Sequence, residues 1–394
     1  MTVLQRAQQA LRDEGRDGWL VYNVYHRDHV ADRLFGVSEG SRNTRPWLGW
    51  IPANGEPQGL VHGIEAGALG SGLPIRTYTG ASELAAAVAT WLGEVSSYAL
   101  NYSAIPPLSV IDHATVEWLR RLAPRASQHS ADTLVQRTLA SLDDTAIASH
   151  RAAADHLYQI VEAVWRQLGE RLASGTAAGE GDVQRWILDA LDERNLATDH
   201  APIVAVGEHT SDPHYEPVGE GAAIRSDQVL QLDLWAKERH DDAVYADISW
   251  VGFTGTQPPP EVRSAFDAVV AARDEVVAAA AAALAGGRRP SGAELDACAR
   301  VTVSDRGLGG HLRHRTGHAI DRLLHGIGVN LDGYEFPDDR TLLDGSCFSI
   351  EPGVYGVPLA QGGTFGVRTE IDAYVAGGSL VVSGGHRQSE PLIL

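Results

Sequence analysis

Apolar residues recur along this chain in two rhythms, one helical and one alternating. Leu4, Ala7 and Leu11 share one side of a helical stretch ending near Glu14, and Gly18-Trp19-Leu20-Val21-Tyr22 reads as a buried strand. Trp47 to Pro52 and Gly59 to His62 predict further strands, and Ala81 to Trp91 a helix. This α/β pattern carries no catalytic cluster. From about Asp143 the rhythm becomes helical, with Leu157, Ile160, Val161, Val164 and Leu168 on one face and Gly175 placed to end the segment. Further helices are expected over Gly181 to Glu193, and from Pro258-Pro259-Pro260 to the Gly286-Gly287 stop. Another is expected after Ser291, whose capping box pairs it with Glu294. Strand-like segments lie between and after these helices. The expected organisation is a smaller α/β domain over residues 1–132 and an α+β domain over 133–394, with helices covering a mostly antiparallel sheet.

Four strands depart from simple amphipathicity. Leu230, Leu232 and Leu234 share a face, so Asp233 projects from the other. Ala246 and Ile248 oppose Asp247, Phe348 and Ile350 oppose Glu351, and Val367, Thr369 and Ile371 oppose Glu370. On any single strand, an acid on the wet face is commonplace. Four such strands in one domain change the balance. Gathered in one interior, four carboxylates do not all stay ionised without positive charge between them. Two divalent cations would supply it, and bridging carboxylates suit a two-metal site. Residues 309–328 add His311, His314, His318 and His325, with glycines that imply an irregular, closely approached backbone. Alone, that stretch fits a surface loop equally well. His214 lies in the turn-forming Asp212-Pro213-His214-Tyr215-Glu216-Pro217.

Taken in order, Asp233-Leu234, Ala246-Asp247-Ile248, Thr316-Gly317-His318, Ile350-Glu351-Pro352-Gly353 and Val367-Arg368-Thr369-Glu370 resemble the pita-bread metallopeptidases, the creatinase, prolidase and aminopeptidase P group. The resemblance implies a pita-bread catalytic domain behind a creatinase-like amino-terminal domain. It implies that Asp233, Asp247, His318, Glu351 and Glu370 hold two divalent ions (manganese, cobalt or zinc), with Asp247 and Glu370 bridging. His214 and His325 would contact substrate, Arg368 would orient the carboxylates, Glu351 would shuttle a proton, and His314 would lie nearby. The activity implied is an exopeptidase acting on short peptides at Xaa-Pro bonds. Alternatives within the fold are a carboxypeptidase-like enzyme with altered end recognition, a creatinase-like amidinohydrolase and an inactive binding module. The group's habit also implies a homodimer.

Three features depart from the group. Asp233 and Asp247 are fourteen residues apart, so Glu238 to Ala243 should form a longer turn. Trp235 stands where the group has glycine in Asp-Leu-Gly-Ala, and Trp250 follows Asp-Ile-Ser where a small polar or basic residue is usual. Either tryptophan, if it lines the cleft, would alter specificity.

Charge narrows the partners. Acidic residues outnumber basic ones 51 to 32, a formal charge of −19, which repels nucleic acid and anionic membranes. The apolar run Val276 to Ala285 is far short of a membrane span. Cys298 and Cys347, far apart and without metal-ligand spacing, fit a reduced, cytoplasmic protein.

Overall fold

The structure, a computed structural model, describes every residue except Glu39 and Ser71. The chain forms two compact units, Met1–Ser141 and Leu142–Leu394. The first holds α1 (Val3–Asp13), β1 (Gly18–Asn23), α2 (His29–Phe35), β2 (Trp47–Pro52), β3 (Gln58–His62), β4 (Ile75–Tyr78) and α3 (Ala81–Leu92). It continues through β5 (Ser97–Leu100), α4 (His113–Leu122), β6 (Ser127–Ser130) and α5 (Asp132–Val135). The sheet order is β4-β3-β2-β1-β5-β6. β1 pairs antiparallel with β2 and parallel with β5, and Trp19 and Trp47 are fully buried in the unit. The unit ends later than the expected boundary at residue 132. Arg6 on α1 donates to the Thr138 carbonyl at 2.9 Å, which ties the turn at Gln136–Ala140 to the first unit.

The second unit contains α6 (Asp144–Ala173), β7 (Ala178–Gly179), α7 (Glu180–Glu193), β8 (Leu196–Ala197), β9 (Ile203–Val206), β10 (Ala223–Ile224), β11 (Val229–Glu238) and β12 (Ala246–Phe253). Then come α8 (Pro260–Ala285), α9 (Gly292–Ser304), β13 (Cys347–Ile350), β14 (Gly353–Pro358), β15 (Thr364–Arg368), β16 (Ile371–Ala376), β17 (Ser379–Val382) and β18 (Leu392–Ile393). Its helices start where local chemistry dictates. The Asp143 side chain accepts from Ala146 N–H, and that of Ser291 from Glu294 N–H. The second cap is half of the expected box, because the Glu294 carboxylate turns to Arg288 instead, at 2.6 Å.

Two apolar layers organise this unit. Leu157, Ile160, Val161 and Val164 of α6 share a core with Leu230, Leu232 and Leu234 of β11 and with Ile248 of β12. Phe266, Val269 and Val276 of α8 share another with Phe348, Ile350, Phe365, Val367 and Ile371. Each buried side chain of this size contributes roughly 1.5–3 kcal/mol. Gly252 on β12 permits the first packing, since a Cβ there would lie 1.8 Å from the Trp165 ring of α6. Strands thus present aliphatic residues to helices, and their other faces are left for polar side chains. The architecture is the α+β, helix-on-sheet arrangement expected. No described helix is long and apolar enough to cross a membrane.

Burial also sets a pH dependence in the first unit. The Asp28 carboxylate caps α2, accepting from Ala31 N–H at 2.8 Å and from Asn101 Nδ2 at 2.8 Å. Desolvation outweighs those bonds and pushes its pKa from 3.8 up to about 7. A carboxyl whose pKa is raised on folding contributes stability below its unfolded value, and loses it as pH climbs through the folded one. Between pH 4 and 7 the wild-type protein should therefore lose stability relative to Asp28→Asn. Urea unfolding of both proteins across that range measures it, and a pH-independent difference would contradict this account.

Candidate active site

β11 and β12 pair with Asp233 opposite Ser249 and Trp235 opposite Asp247. Side chains alternate across a strand, so Gln231, Asp233 and Trp235 share a face with Asp247 and Ser249, away from the α6 core. Asp233 and Asp247 become diagonal neighbours on that face. The register, with Asp233 opposite Ser249, sets this, and residues 239–245 form the longer connection.

Glu351 and Glu370 are set differently. They do not lie within continuous strands, as the alternation suggested, but in a gap between two ladders. β13 pairs with β16 up to Ile350 opposite Ile371, and β14 with β15 from Gly353 opposite Arg368. The two glutamates face each other across that interval. Their backbone amides are spent elsewhere: Glu370 N–H donates to the Ser249 carbonyl at 3.0 Å and Glu351 N–H to the Thr316 carbonyl at 2.7 Å. The gap therefore fastens the ribbon to β12 on one side and to the histidine-rich segment on the other.

That segment is irregular, as its glycines implied. Gly317 bridges to Leu331, and a Cβ on it would lie 2.0 Å from the Ser349 carbonyl oxygen. This close approach delivers His318. Its Nδ1 lies 3.1 Å from the Ala319 carbonyl, which fixes the proton there. Nε2 is left facing Asp247 Oδ2 at 3.5 Å and Glu351 Oε1 at 3.6 Å.

All five expected ligands converge. Asp247, His318 and Glu370 each offer a donor atom within 4.8 Å of the others. Ser249 Oγ links Asp233 Oδ1 (2.8 Å) to Glu370 Oε2 (2.9 Å). Yet Asp247 Oδ1 and Glu370 Oε1 are buried without a hydrogen-bond partner among the described residues. An uncompensated buried carboxylate oxygen costs several kcal/mol or forces protonation. The pKa shifts run the same way. Burial, then the charges of Asp233 and Glu351, lift Asp247 well above the usual carboxylate range. Burial and Asp247 do the same to Glu370, and burial raises Asp233 despite Arg368. Burial also acts to raise Glu351, but His318, His314, Arg368 and Arg315 outweigh it and hold its carboxyl down.

Arg368 is the buried cation of this cluster. It pairs with Asp233, donates from Nε to Ser249 Oγ at 3.0 Å, and donates from Nη1 to Tyr355 Oη at 3.2 Å. Tyr355 Oη in turn lies 2.8 Å from His314 Nε2, which brings His314 beside the site as expected. Gln231 clamps the Arg368 backbone, its amide donating to the carbonyl at 3.0 Å and accepting from the N–H at 3.1 Å. Asp372 Oδ2 accepts from Asp247 N–H at 2.7 Å. Gln231, Ser249 and Asp372 are not among the residues that the sequence singles out. Each lies two residues from an expected ligand, so strand alternation alone puts them on the same face. Tyr355 carried no such signal.

The cluster floors a cleft of about 620 Å³, which His214, His325, Arg315, Glu335 and Trp235 also line. His325 packs against His318, the rings tilted at 52° with centroids 4.4 Å apart, and burial followed by the His318 charge pushes its pKa down to about 4. It is neutral at pH 7. His214 is exposed at the cleft. The two unusual tryptophans part company. Trp235 lines the cleft, whereas Trp250 faces the α6 core and meets Tyr158 edge-on at 6.1 Å.

The Arg368–Asp233 pair is testable without any ligand. Arg368→Met keeps the volume but strands a buried carboxylate, and should cost about 3 kcal/mol of folding stability. Denaturant unfolding in the presence of a chelator measures it, and an unchanged midpoint would show that Arg368 does not balance the cluster.

The stretch of chain that holds these residues is matched by a known family. Residues 148–376 match the profile of metallopeptidase family M24. An Xaa-Pro dipeptidase of Lactobacillus helveticus is 28% identical over 220 residues, covering 56% of this chain and 52% of that protein. An Xaa-Pro dipeptidase of Lactobacillus delbrueckii subsp. lactis is 27% identical over 180 residues, 44% of this chain and 42% of that one. The chain thus spans about half the length of these relatives. In fold, the structure of dipeptidase PepE from Mycobacterium ulcerans superposes with a TM-score of 0.74 at 21% identity, covering 99% of this chain and 96% of that one. An Xaa-Pro dipeptidase from Bacillus anthracis gives 0.63 at 20% identity, covering 100% and 99%. At such identity the likeness is one of fold, and it extends over both units. A profile match across most of the unit that gathers the five side chains, joined to that fold, makes this chain a member of metallopeptidase family M24.

Proposed function

We propose that the protein is a dinuclear-metal-dependent exopeptidase that hydrolyses short peptides at Xaa-Pro bonds. One observation carries this reading: two buried carboxylate oxygens, Asp247 Oδ1 and Glu370 Oε1, stand without partners among the described residues, inside a five-residue donor set at the floor of a cleft. Partnerless acceptors in a buried acidic cluster fit cations. Four carboxylates and one imidazole suit manganese, cobalt or zinc. Asp233, Asp247, His318, Glu351 and Glu370 would hold two ions. When bound, such ions supply Lewis acidity, acidifying water and polarising the scissile carbonyl.

The chain's own residues divide the remaining work. Glu351, held ionised, accepts a proton and passes it to the leaving nitrogen. His325, neutral and lining the cleft, can donate a hydrogen bond to the oxygen that gains charge, and His214 lines the same cleft. Arg368 fixes Asp233 and Ser249 and so sets the orientation of the carboxylates. The names of the Lactobacillus relatives support Xaa-Pro dipeptides as substrates. The complete ligand set weighs against a metal-free amidinohydrolase and against an inactive module. Trp235 in the cleft favours one variant of the main reading, altered recognition of a peptide end.

Metal-stripped protein supplied with manganese, cobalt or zinc should cleave Xaa-Pro dipeptides to free proline, with mass spectrometry of a panel varying proline position, length and termini as the readout. Asp247→Ala should abolish both metal binding, followed by calorimetry, and hydrolysis. Undiminished turnover in that variant would remove the mechanism.

A further inference from the structure

One end of the cleft is apolar. Ile203, Trp235 and Leu324 line it and pack into a single cluster. Beside them stands Asp199, whose Oδ1 accepts from the Trp235 indole N–H at 2.7 Å. Its side chain remains 44% exposed, and Oδ2 takes no protein donor among the described residues. His200 approaches only Oδ1, at 3.5 Å. Lys237 is within electrostatic reach of Asp199, but its Nζ donates to the Arg322 carbonyl at 2.7 Å and lies over the Tyr245 ring at 4.7 Å. Asp199 is therefore a fixed carboxylate with one oxygen facing open space.

Its place at the N–H end of the Trp235 indole selects what it can hold. Trp235 and Asp247 face one another across the β11–β12 ladder, with Cβ atoms about 5 Å apart. The indole fills the interval, based on the strand opposite Asp247 and ending on Asp199. In an Xaa-Pro peptide the α-ammonium is two bonds from the scissile carbonyl carbon, so it stays at the cluster. A lysine or arginine side chain spans the interval instead, its aliphatic stem along Ile203, Trp235 and Leu324 and its cation at the tip. We infer that Asp199, held in place by Trp235, selects peptides whose residue before the scissile bond carries a cationic side chain.

This inference rests on the Xaa-Pro reading, and the test separates the two. Hydrolysis of Lys-Pro and Leu-Pro is measured in wild type, Asp199→Asn and Asp199→Lys, each loaded with the metal that restores activity. Asparagine can still accept from the Trp235 indole, so the fold is kept while the charge goes. The ratio of kcat/KM for Lys-Pro over Leu-Pro should fall about tenfold in Asp199→Asn, mainly through KM, and Asp199→Lys should favour Glu-Pro over Lys-Pro. An unchanged ratio overturns the inference, whether neither rate falls or both fall together, as they would if Asp199 held the α-ammonium common to the two peptides. No hydrolysis of either peptide by the wild type overturns the Xaa-Pro reading, and this inference with it.

Discussion

Mutual repulsion among buried carboxylates governs the second unit. Asp233, Asp247, Glu351 and Glu370 crowd into an interior where two unit charges 4 Å apart repel by about 4 kcal/mol even at an effective dielectric constant of 20. One guanidinium, that of Arg368, is the buried arginine charge among them, and it pairs with Asp233. Burial and the neighbouring acids push Asp247 and Glu370 well above the usual carboxylate range. Part of the imbalance is met by polar neighbours. Ser249 lies between two of the acids, and Tyr355 and Gln231 hold Arg368. The protein alone supplies too little positive charge for four ionised acids, and the proposed pair of divalent cations would correct that deficit.

Holding such a cluster together requires stability from elsewhere. It comes from the two aliphatic layers, where α6 covers one strand pair and α8 and α9 cover the other core. The polar site occupies the strand faces that those helices leave free. Rigid strands deliver Asp233 and Asp247, a gap between ladders delivers Glu351 and Glu370, and an irregular loop delivers His318. The gap has a purpose visible in its hydrogen bonds: amides released from one ladder tie the ribbon to β12 and to the loop. Three backbone segments are thereby locked in mutual register around the acids.

Trp235 and Trp250 show how one rule separates cleft from core. Trp235 is two residues after Asp233 and shares its face. Trp250 is three residues after Asp247 and points the other way, into the packing against Tyr158. Parity alone decides this. A bulky indole in the cleft then does two things: it narrows the space beside the carboxylates, and through its N–H it fixes Asp199.

The sequence by itself determined whatever depends on near neighbours. Helix spans, the Asp143 and Ser291 caps, the aliphatic faces of β11 and β12, and the acids on the reverse faces all follow from local periodicity and capping chemistry. The order of five short motifs was legible too. Tertiary structure decided the rest. Asp233 and Glu370 are separated by well over a hundred residues, and nothing local brings Ser249 between them. Glu351 and Glu370 read as strand residues, yet they sit in a break, because their amides bond to segments distant in the chain. Glu294 looked like half of a capping box until Arg288 drew its carboxylate away. Residues 133–141 belong with the first unit because α1 reaches across to them. Periodicity fixes which face a side chain takes, but strand register and long-range hydrogen bonds fix what it meets there, and those are set only when the whole domain packs.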